Sequence, residues 1–419
     1  MEKTPKSLRM QIGFFGRTNV GKSSLVNYLV GQDISIVSPQ AGTTTDVVEK
    51  TLELLPVGPV VFLDTAGIND VSDLSDARKR KTKAVYARAD VFVIVVEPEI
   101  WTEFEDTLVA EATQRHSGCI IIINKTDLRT PAKSFIDLCK KKSSRVILCS
   151  CTDNRYREGC ENEFKKHIAD IANTAGVVET TIVGDLIPPG GIVVLVVPID
   201  LQAPKGRLIL PQVQTIRDAL DNDASTIVVK EREYAALLSK LKINPDLVVC
   251  DSQVVLKMVA DTPADVPCTT FSILFSRNKG DLQLQAQGLG IIDSLRPGDK
   301  VLVAEACSHH ALADDIGRVK IPRWLRQYTG LDLQVDIFSG RDFPENLTDY
   351  KLVIHCGSCM LTRRETMARL DQASRAGVAV TNYGLCISFI QGVIDRVLSP
   401  FPAALDAFKR KQLTNRTKI

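Results

Sequence analysis

Apolar runs and mixed segments alternate along the whole chain. QIGFF, VVFLD, ADVFVIVVE, CIIIIN and RVILCS are short and unbroken, as strands of a parallel sheet covered on both faces read. Stretches with helical spacing, such as FEDTLVAEATQRH, lie between them. The alternation predicts a doubly wound α/β domain, ending at the helix KKHIADIANTAG with Gly176 behind it. The turn-rich segment GDLIPPGG (184–191) leads to a second run, with strands GIVVLVVPID, STIVVK and DLVVC and helices LPQVQTIRDALDN and REYAALLSKLK. The two prolines of DTPADVPC (261–268) mark another boundary, after which TTFSILF, KVLVAEAC, DLQVDIF, KLVIHC and GVAVTN read as strands. Three α/β domains are expected, over 1–175, 176–262 and 263–419. The middle one is small, and such a sheet gains stability from a partner subunit.

Composition narrows the class. The chain has 419 residues, 52 basic against 50 acidic. That balance gives no drive toward nucleic acid or an anionic membrane. The one basic stretch, FKRKQLTNRTKI, reads as a solvated tail. The longest apolar run, IVVLVVPI, is far too short to span a bilayer. The start, MEKTPKSLRM, has no signal-type apolar segment, so cytoplasm is the expected location. Eleven cysteines, an odd number, then point to metal or thiol chemistry rather than a disulfide framework. Cys119, Cys149 and Cys250 sit in strand-like runs and are expected in the core, while Cys386 is a possible wall of the third domain's site.

Four ordered motifs follow strand-like runs in the first domain. GRTNVGKS (16–23) has the form G-x-x-x-x-G-K-[ST] between a strand and a helix. Glycines there let backbone N–H groups wrap phosphates, and the helix N-terminus adds its dipole. Lys22 would reach the β and γ phosphates, and the Ser23 hydroxyl would bind Mg²⁺. AGTTTD (41–46) offers Thr44 to complete the Mg²⁺ shell. DTAG (64–67) offers Asp64 to hold Mg²⁺ through water and the Gly67 N–H to sense the γ-phosphate. In NKTD (124–127), the Asp127 carboxylate can accept from guanine N1–H and the exocyclic amine together, which adenine cannot offer, while Asn124 and Lys125 fix and stack the base. CSC (149–151) places Ser150 and Cys151 behind the base. The nucleotide-binding set is therefore Gly16, Asn19, Val20, Gly21, Lys22, Ser23, Ser24, Thr44, Asp64, Gly67, Asn124, Lys125, Asp127, Ser150 and Cys151, with Lys22, Thr44, Asp64 and Gly67 as the catalytic group and GTP/GDP as ligand.

On these motifs, residues 8–173 resemble the GTPase domains of the TrmE–Era group, a Ras-like P-loop fold. Ile68 stands where Ras-type enzymes carry a water-orienting glutamine, and isoleucine cannot orient water. The resemblance implies slow hydrolysis, stimulated by K⁺ held partly by Asn19.

A second constellation lies near the carboxyl end. ACSHH (306–310) follows KVLVAE and HCGSC (355–359) follows KLVI. Both would lie at carboxyl ends of strands, where open α/β sheets place their sites. The pattern is C-x-H, 45 residues, then H-C-x-x-C, and it holds three of the chain's five histidines. Cys307, Cys356 and Cys359 are the expected metal ligands, against a bland alternative of three buried thiols. A structural zinc would need a fourth firm ligand. A 4Fe–4S cluster can be held by three cysteines with one iron open. His309 and His355 are ligands or outer partners, and Asp314 could reach the same metal or merely cap a helix.

A TrmE-like GTPase, then a small α/β domain, then C-x-H…H-C-x-x-C resembles the HydF family of FeFe-hydrogenase maturation GTPases over essentially the whole chain. The resemblance implies a GTP-binding domain, a dimerisation domain and a 4Fe–4S domain with Cys307, Cys356 and Cys359 as ligands. It also implies a scaffold that carries a two-iron precursor with CO and cyanide ligands. Its partners would be radical-SAM maturases, the apo FeFe-hydrogenase and a second copy of itself, without nucleic acid or membrane. The rival readings are a TrmE/Era-like GTPase of tRNA modification or ribosome biogenesis, and a zinc-stabilised regulatory GTPase.

Overall fold

The computed structural model describes residues 6–30, 39–40, 48–55, 57–65, 85–153, 157–174, 181–198, 208–306, 315–340, 343–344 and 346–416. They fall into two units, 1–179 and 180–419, each with its own sheet system.

In the first unit the strands are β1 (Met10–Phe15), β2 (Pro39–Gln40), β3 (Val48–Leu54), β4 (Gly58–Asp64), β5 (Val91–Val96), β6 (Gly118–Ile123) and β7 (Val146–Leu148). They form one sheet in the order β2-β3-β4-β1-β5-β6-β7. Strands β4, β1, β5, β6 and β7 run parallel, and β2 and β3 are added antiparallel. Every residue of β5 is buried, as its unbroken apolar sequence requires between two helical layers. Helices α1 (Lys22–Val30), α2 (Glu103–Gln114) and α3 (Lys133–Lys142) lie between strands, and α4 (Arg157–Thr174) follows β7. Separate apolar clusters cover the two faces, one around Phe14, Phe62 and Phe164, the other around Phe15, Tyr86 and Phe92. Thr102 starts α2 with a reciprocal cap, its own N–H donating to Glu105 Oε2 at 2.8 Å.

The second unit holds two four-stranded parallel sheets. The first consists of β8 (Ile192–Val196), β9 (Ser225–Val229), β10 (Leu247–Cys250) and β11 (Cys268–Thr270), in the order β11-β10-β8-β9. The second consists of β12 (Lys300–Ala304), β13 (Gln334–Phe338), β14 (Tyr350–His355) and β15 (Ala379–Asn382), in the order β13-β12-β14-β15. The expected helices of the middle run appear as α5 (Leu210–Asp221) and α6 (Tyr234–Lys240). Further along come α7 (Val255–Asp261), α8 (Phe271–Lys279), α9 (Leu282–Gly288), α10 (Ile321–Thr329), α11 (Arg363–Arg375), α12 (Tyr383–Ile390), α13 (Ile394–Val397) and α14 (Pro402–Arg416).

One expected strand is corrected. TTFSILF is not a strand of the last domain. Cys268–Thr270 closes the first of these two sheets by pairing with β10, so that sheet reaches past residue 262. The chain then turns at once into α8, whose cap is Thr270 Oγ1 accepting from Ile273 N at 3.2 Å. Helix α8 packs on α5, α11 and α12, and its Phe271 and Phe275 join one apolar core that includes Val194, Val249, Val303 and Ile354 from both sheets. Cys386 lies wholly inside that core rather than on a site wall, and burial pushes its thiol up to about 12. Of the other thiols expected in the core, Cys149 and Cys250 are buried and Cys119 is half-buried. No helix among the described residues is long and apolar enough to cross a membrane.

Candidate functional site

The loop between β1 and α1 is shaped by two glycines. Gly16 has φ +146° and Gly21 φ +92°, and a Cβ at either would meet Val95 O at 2.3 Å or Asn124 Nδ2 at 2.4 Å. No other residue fits those places. Asn19 adopts a left-handed φ of 64°, which asparagine tolerates better than most residues. Val20 is fully buried, Ser23 is half-buried in the first turn of α1 and Ser24 is exposed. Lys22 Nζ donates to the carbonyls of Gly16 and Arg17 at 2.8 Å each, so its ammonium lies inside the curve of the loop.

The described residues of the DTAG, NKTD and CSC motifs lie at the carboxyl edge of the same sheet. Asp64 ends β4 opposite Phe14 and is buried, and Thr65 Oγ1 donates to Phe14 O at 2.5 Å. Asn124, just past β6, donates from Nδ2 to Val20 O at 2.9 Å and so ties the base motif to the phosphate loop. Lys125 pairs with Glu97. The Asp127 carboxylate accepts from Ser150 Oγ at 2.7 Å and from Thr152 Oγ1 at 2.9 Å. Those two hydroxyls hold its carboxyl below the usual range, so the group stays an anion able to accept two donors. Thr126 binds Cys149 O through its N–H (3.2 Å) and its hydroxyl (3.0 Å), while Cys151 Sγ contacts Asn124 Oδ1 at 3.3 Å. Thr44 and Gly67 lie outside the described residues.

Sequence reasoning missed one anchor here. Arg17, at an unspecified position of the G-x-x-x-x-G-K-[ST] pattern, pairs with the buried Glu105 at 2.8 Å. The signal was the T-x-x-E of TEFE, where Glu105 serves both the helix cap and the loop.

The second site is built at the carboxyl ends of β12 and β14. Cys356 follows β14 directly, and its N–H continues the sheet by donating to Ala304 O at 2.9 Å. The Cys356 sulfur accepts from the backbone N–H of Ala306 at 3.1 Å and of Ser358 at 3.5 Å. Ser358 reaches this position with a left-handed φ of 57°, uncommon for a residue with a side chain. The segment leading into Cys307 is thus bonded to the Cys356 sulfur. Cys307, His309 and Asp314 themselves lie outside the described residues, whereas Asp315 caps the following turn by accepting from Arg318 N at 2.8 Å. Among the described residues no three His, Cys, Asp or Glu side chains converge on a metal position.

His355 is 1 % exposed, and both ring nitrogens are engaged. Nε2 lies 3.3 Å from Arg369 Nη1, and Nδ1 lies 3.0 Å from Cys356 O and 3.2 Å from Ser358 Oγ. A guanidinium only donates, so Nε2 accepts, and the ring proton sits on Nδ1 facing Cys356 O. Burial, reinforced by the Arg369 cation, pushes the imidazole down to about 4 and keeps it neutral. In this arrangement His355 props the cysteine loop.

The main feature absent from the sequence reading is Lys279. It ends α8, is 2 % exposed, and its ammonium donates to the carbonyls of Leu361 (2.8 Å), Cys359 (3.2 Å) and Ser358 (3.3 Å). Burial pushes it down to about 8, against the pull of Cys359, Glu365 and Cys356. A buried lysine meeting three carbonyls holds the C-x-x-C loop from beneath. Burial likewise pushes the Cys356 and Cys359 thiols up, Cys359 to about 11. Two half-buried sulfurs, one of them already facing backbone N–H donors, suit a bound cation that takes the place of their protons.

Comparisons with known proteins divide along the same line as the fold. Residues 11–125 match a model described as 50S ribosome-binding GTPase. A tRNA modification GTPase MnmE from a Synechococcus species is 41% identical over 121 residues, 28% of this chain and 26% of that protein. The GTPase Der of Wolinella succinogenes is 32% identical over 134 residues, 31% of this chain and 28% of its own length. This chain therefore spans little more than a quarter of either relative. A solved structure of an Aquifex aeolicus Era variant bound to GDP and AlF4 aligns with 28% identity and a TM-score of 0.31, covering 38% of this chain and 56% of the other. Residues 182–280 match the hydrogen maturase F dimerization domain and residues 283–400 the hydrogen maturase F tetramerization domain. These two adjacent matches together take in more than half of the chain and follow directly on the GTPase domain, so the chain belongs to the hydrogen maturase F family.

Proposed function

We propose that the chain is a GTP-hydrolysing scaffold and carrier that delivers a two-iron precursor, with its CO and cyanide ligands, to an apo FeFe-hydrogenase. One observation carries this reading. A chain whose first unit is a GTPase domain holds, at the end of β14, a C-x-x-C loop clamped by His355 and Lys279 and bonded to the segment that leads into Cys307.

In the first unit Lys22 would neutralise the β and γ phosphates, Ser23 and Thr44 would hold Mg²⁺, and Asp64 would reach it through water. Asp127 reads guanine with its paired acceptors. Asn19 would supply an oxygen to K⁺, the charge that compensates for Ile68. The loops carrying Thr44 and Gly67 would be ordered by the γ-phosphate and released after hydrolysis. GTP then times partner exchange and does not power the cargo's chemistry.

In the second unit Cys307, Cys356 and Cys359 would hold a 4Fe–4S cluster. Bound there, it supplies one iron coordination position that the three thiolates do not fill. With both His355 nitrogens engaged, His309, Asp314 or an incoming group is left to take that position. The two-iron precursor is cargo, received from radical-SAM maturases. The dimerization and tetramerization domain matches support self-association through residues 182–400.

The test is anaerobic. Chain loaded with precursor and mixed with apo FeFe-hydrogenase should yield hydrogen evolution. Loaded chain that leaves the hydrogenase inactive overturns the carrier role. A loaded Lys22→Ala variant should still activate the hydrogenase in a single transfer, and its failure would contradict a pure timing role for GTP.

A further inference from the structure

Helix α14 has two distinct faces. Ala404 and Phe408 are buried in the apolar core of the second unit. The opposite face carries Ala403, Asp406, Arg410 and Leu413, all exposed, with Leu413 at 66 %. Their spacing of three, four and three residues sets them in one line along the helix, as at the a and d positions of a coiled-coil seam. Beside this line α14 packs on α9. The two helices border a groove of about 420 Å³, lined in part by Gln283 and Gln287 of α9 and by Ala403, Asp406, Ala407 and Arg410 of α14. Residues 408–416, the greater part of the stretch that reads as a basic tail, thus belong to a packed helix.

We propose that this seam is a self-association surface, on which α14 packs antiparallel against α14 of a second copy and so joins two dimers into a tetramer. The proposal rests on the reading that the chain self-associates. A two-fold contact must be self-complementary, and the seam has that property about an axis beside Phe408. Antiparallel pairing there sets Asp406 against the partner's Arg410, and Arg410 against the partner's Asp406. The same register sets Leu413 against the partner's Ala403, so a large side chain meets a small one at each end. Lys409 is drawn off the seam toward Asp395, at 3.6 Å. Gln283 and Gln287 lie inside the segment that matches the tetramerization domain, and α14 follows directly on its end.

Size sets the level of assembly. From Ala403 to Leu413 the helix is about 16 Å long, too short to supply by itself the ~800 Å² per partner of a standard interface. Two dimers that meet form this contact twice. Once the first has closed, the second closes within one assembly, at high effective concentration. The seam is therefore suited to a dimer–tetramer equilibrium and not to holding two monomers together.

The test uses the full-length chain, purified anaerobically, and reads its mass in solution by sedimentation over a range of concentrations. The parent should form tetramers that dilute to dimers. Asp406→Arg and Arg410→Asp each bring like charges together at two places in the interface, so the dissociation constant of tetramer into dimers should rise about tenfold or more. The double variant Asp406→Arg/Arg410→Asp rebuilds both pairs with their signs exchanged and should return to the parent's value. That recovery also separates lost attraction from lost folding. A tetramer that withstands either single reversal, or a double variant that stays dimeric, overturns the proposal, as does a parent that remains a dimer throughout. A parent that is monomeric at every concentration overturns the self-association reading as well, so the two failures are told apart.

Discussion

The Arg369 guanidinium spans two acceptors, His355 Nε2 at 3.3 Å and Gly340 O at 2.9 Å. It fixes the tautomer of the histidine that props Cys356 and ties that histidine to the loop after β13. A lysine presents a point charge and cannot bridge both groups. Arg369→Lys should therefore lower the stability of the metal-free chain by about 1–3 kcal/mol, the usual cost of leaving a buried polar partner unmatched. Urea denaturation at fixed protein concentration measures it, and an unchanged midpoint would show that the bridge contributes nothing.

Lys279→Met keeps much of the apolar stem and removes the donor to Ser358, Cys359 and Leu361. Partners just outside a metal's ligands typically change metal affinity by about 10–100-fold when removed. Iron release to a chelator should accelerate by about tenfold or more in this variant. Lys279→Arg gives the control, because it keeps a charge but cannot place it at the same three carbonyls in a packed site. Equal release rates in all three proteins would reduce Lys279 to a packing residue.

Asp127→Asn replaces a paired acceptor by a group with one acceptor and one donor. Two charge-assisted hydrogen bonds to guanine are disturbed, each of about 1.5–3 kcal/mol. GDP affinity should fall about a hundredfold or more, while xanthosine diphosphate, which offers a carbonyl where guanine has its amine, should gain. Calorimetry with both nucleotides settles the point. Undiminished GDP binding would remove Asp127 from the base site.

The proposed K⁺ role needs a substitution that respects the backbone. Asn19 has a φ of 64°, so Asn19→Ala would strain the loop as well as remove the oxygen. Asn19→Gly adopts that conformation freely. GTP turnover in KCl over that in NaCl should exceed one for the parent and fall to about one for Asn19→Gly. A parent protein indifferent to the cation would contradict the assignment.

Much of this architecture was legible because parallel strands buried on both faces leave unbroken apolar runs. The runs at β1, β5 and β6 needed nothing more. The edge hairpin of β3 was not seen, since VEKTLEL alternates and lies on the sheet's antiparallel side. TTFSILF misled because an apolar run of that length is ambiguous between strand and buried helix. Thr270 is the last strand residue and also the helix cap, and tertiary packing against two sheets decided the outcome. The same held at the sites. Spacing revealed the phosphate loop and the C-x-x-C pair. Lys279 was invisible, because it is distant in sequence from Leu361 and a lysine ordinarily reads as surface. The contact between Cys160 of α4 and Cys149 was likewise hidden, since only the fold brings the two together.

Metal and sulfide analysis of protein purified anaerobically decides whether an iron–sulfur site accompanies the GTPase in one chain. The parent should be brown, with about four iron and four sulfide per chain, and Cys356→Ser and Cys307→Ser should each lose most of both. A colourless parent holding one zinc per chain, or cysteine variants that keep their iron, would contradict it.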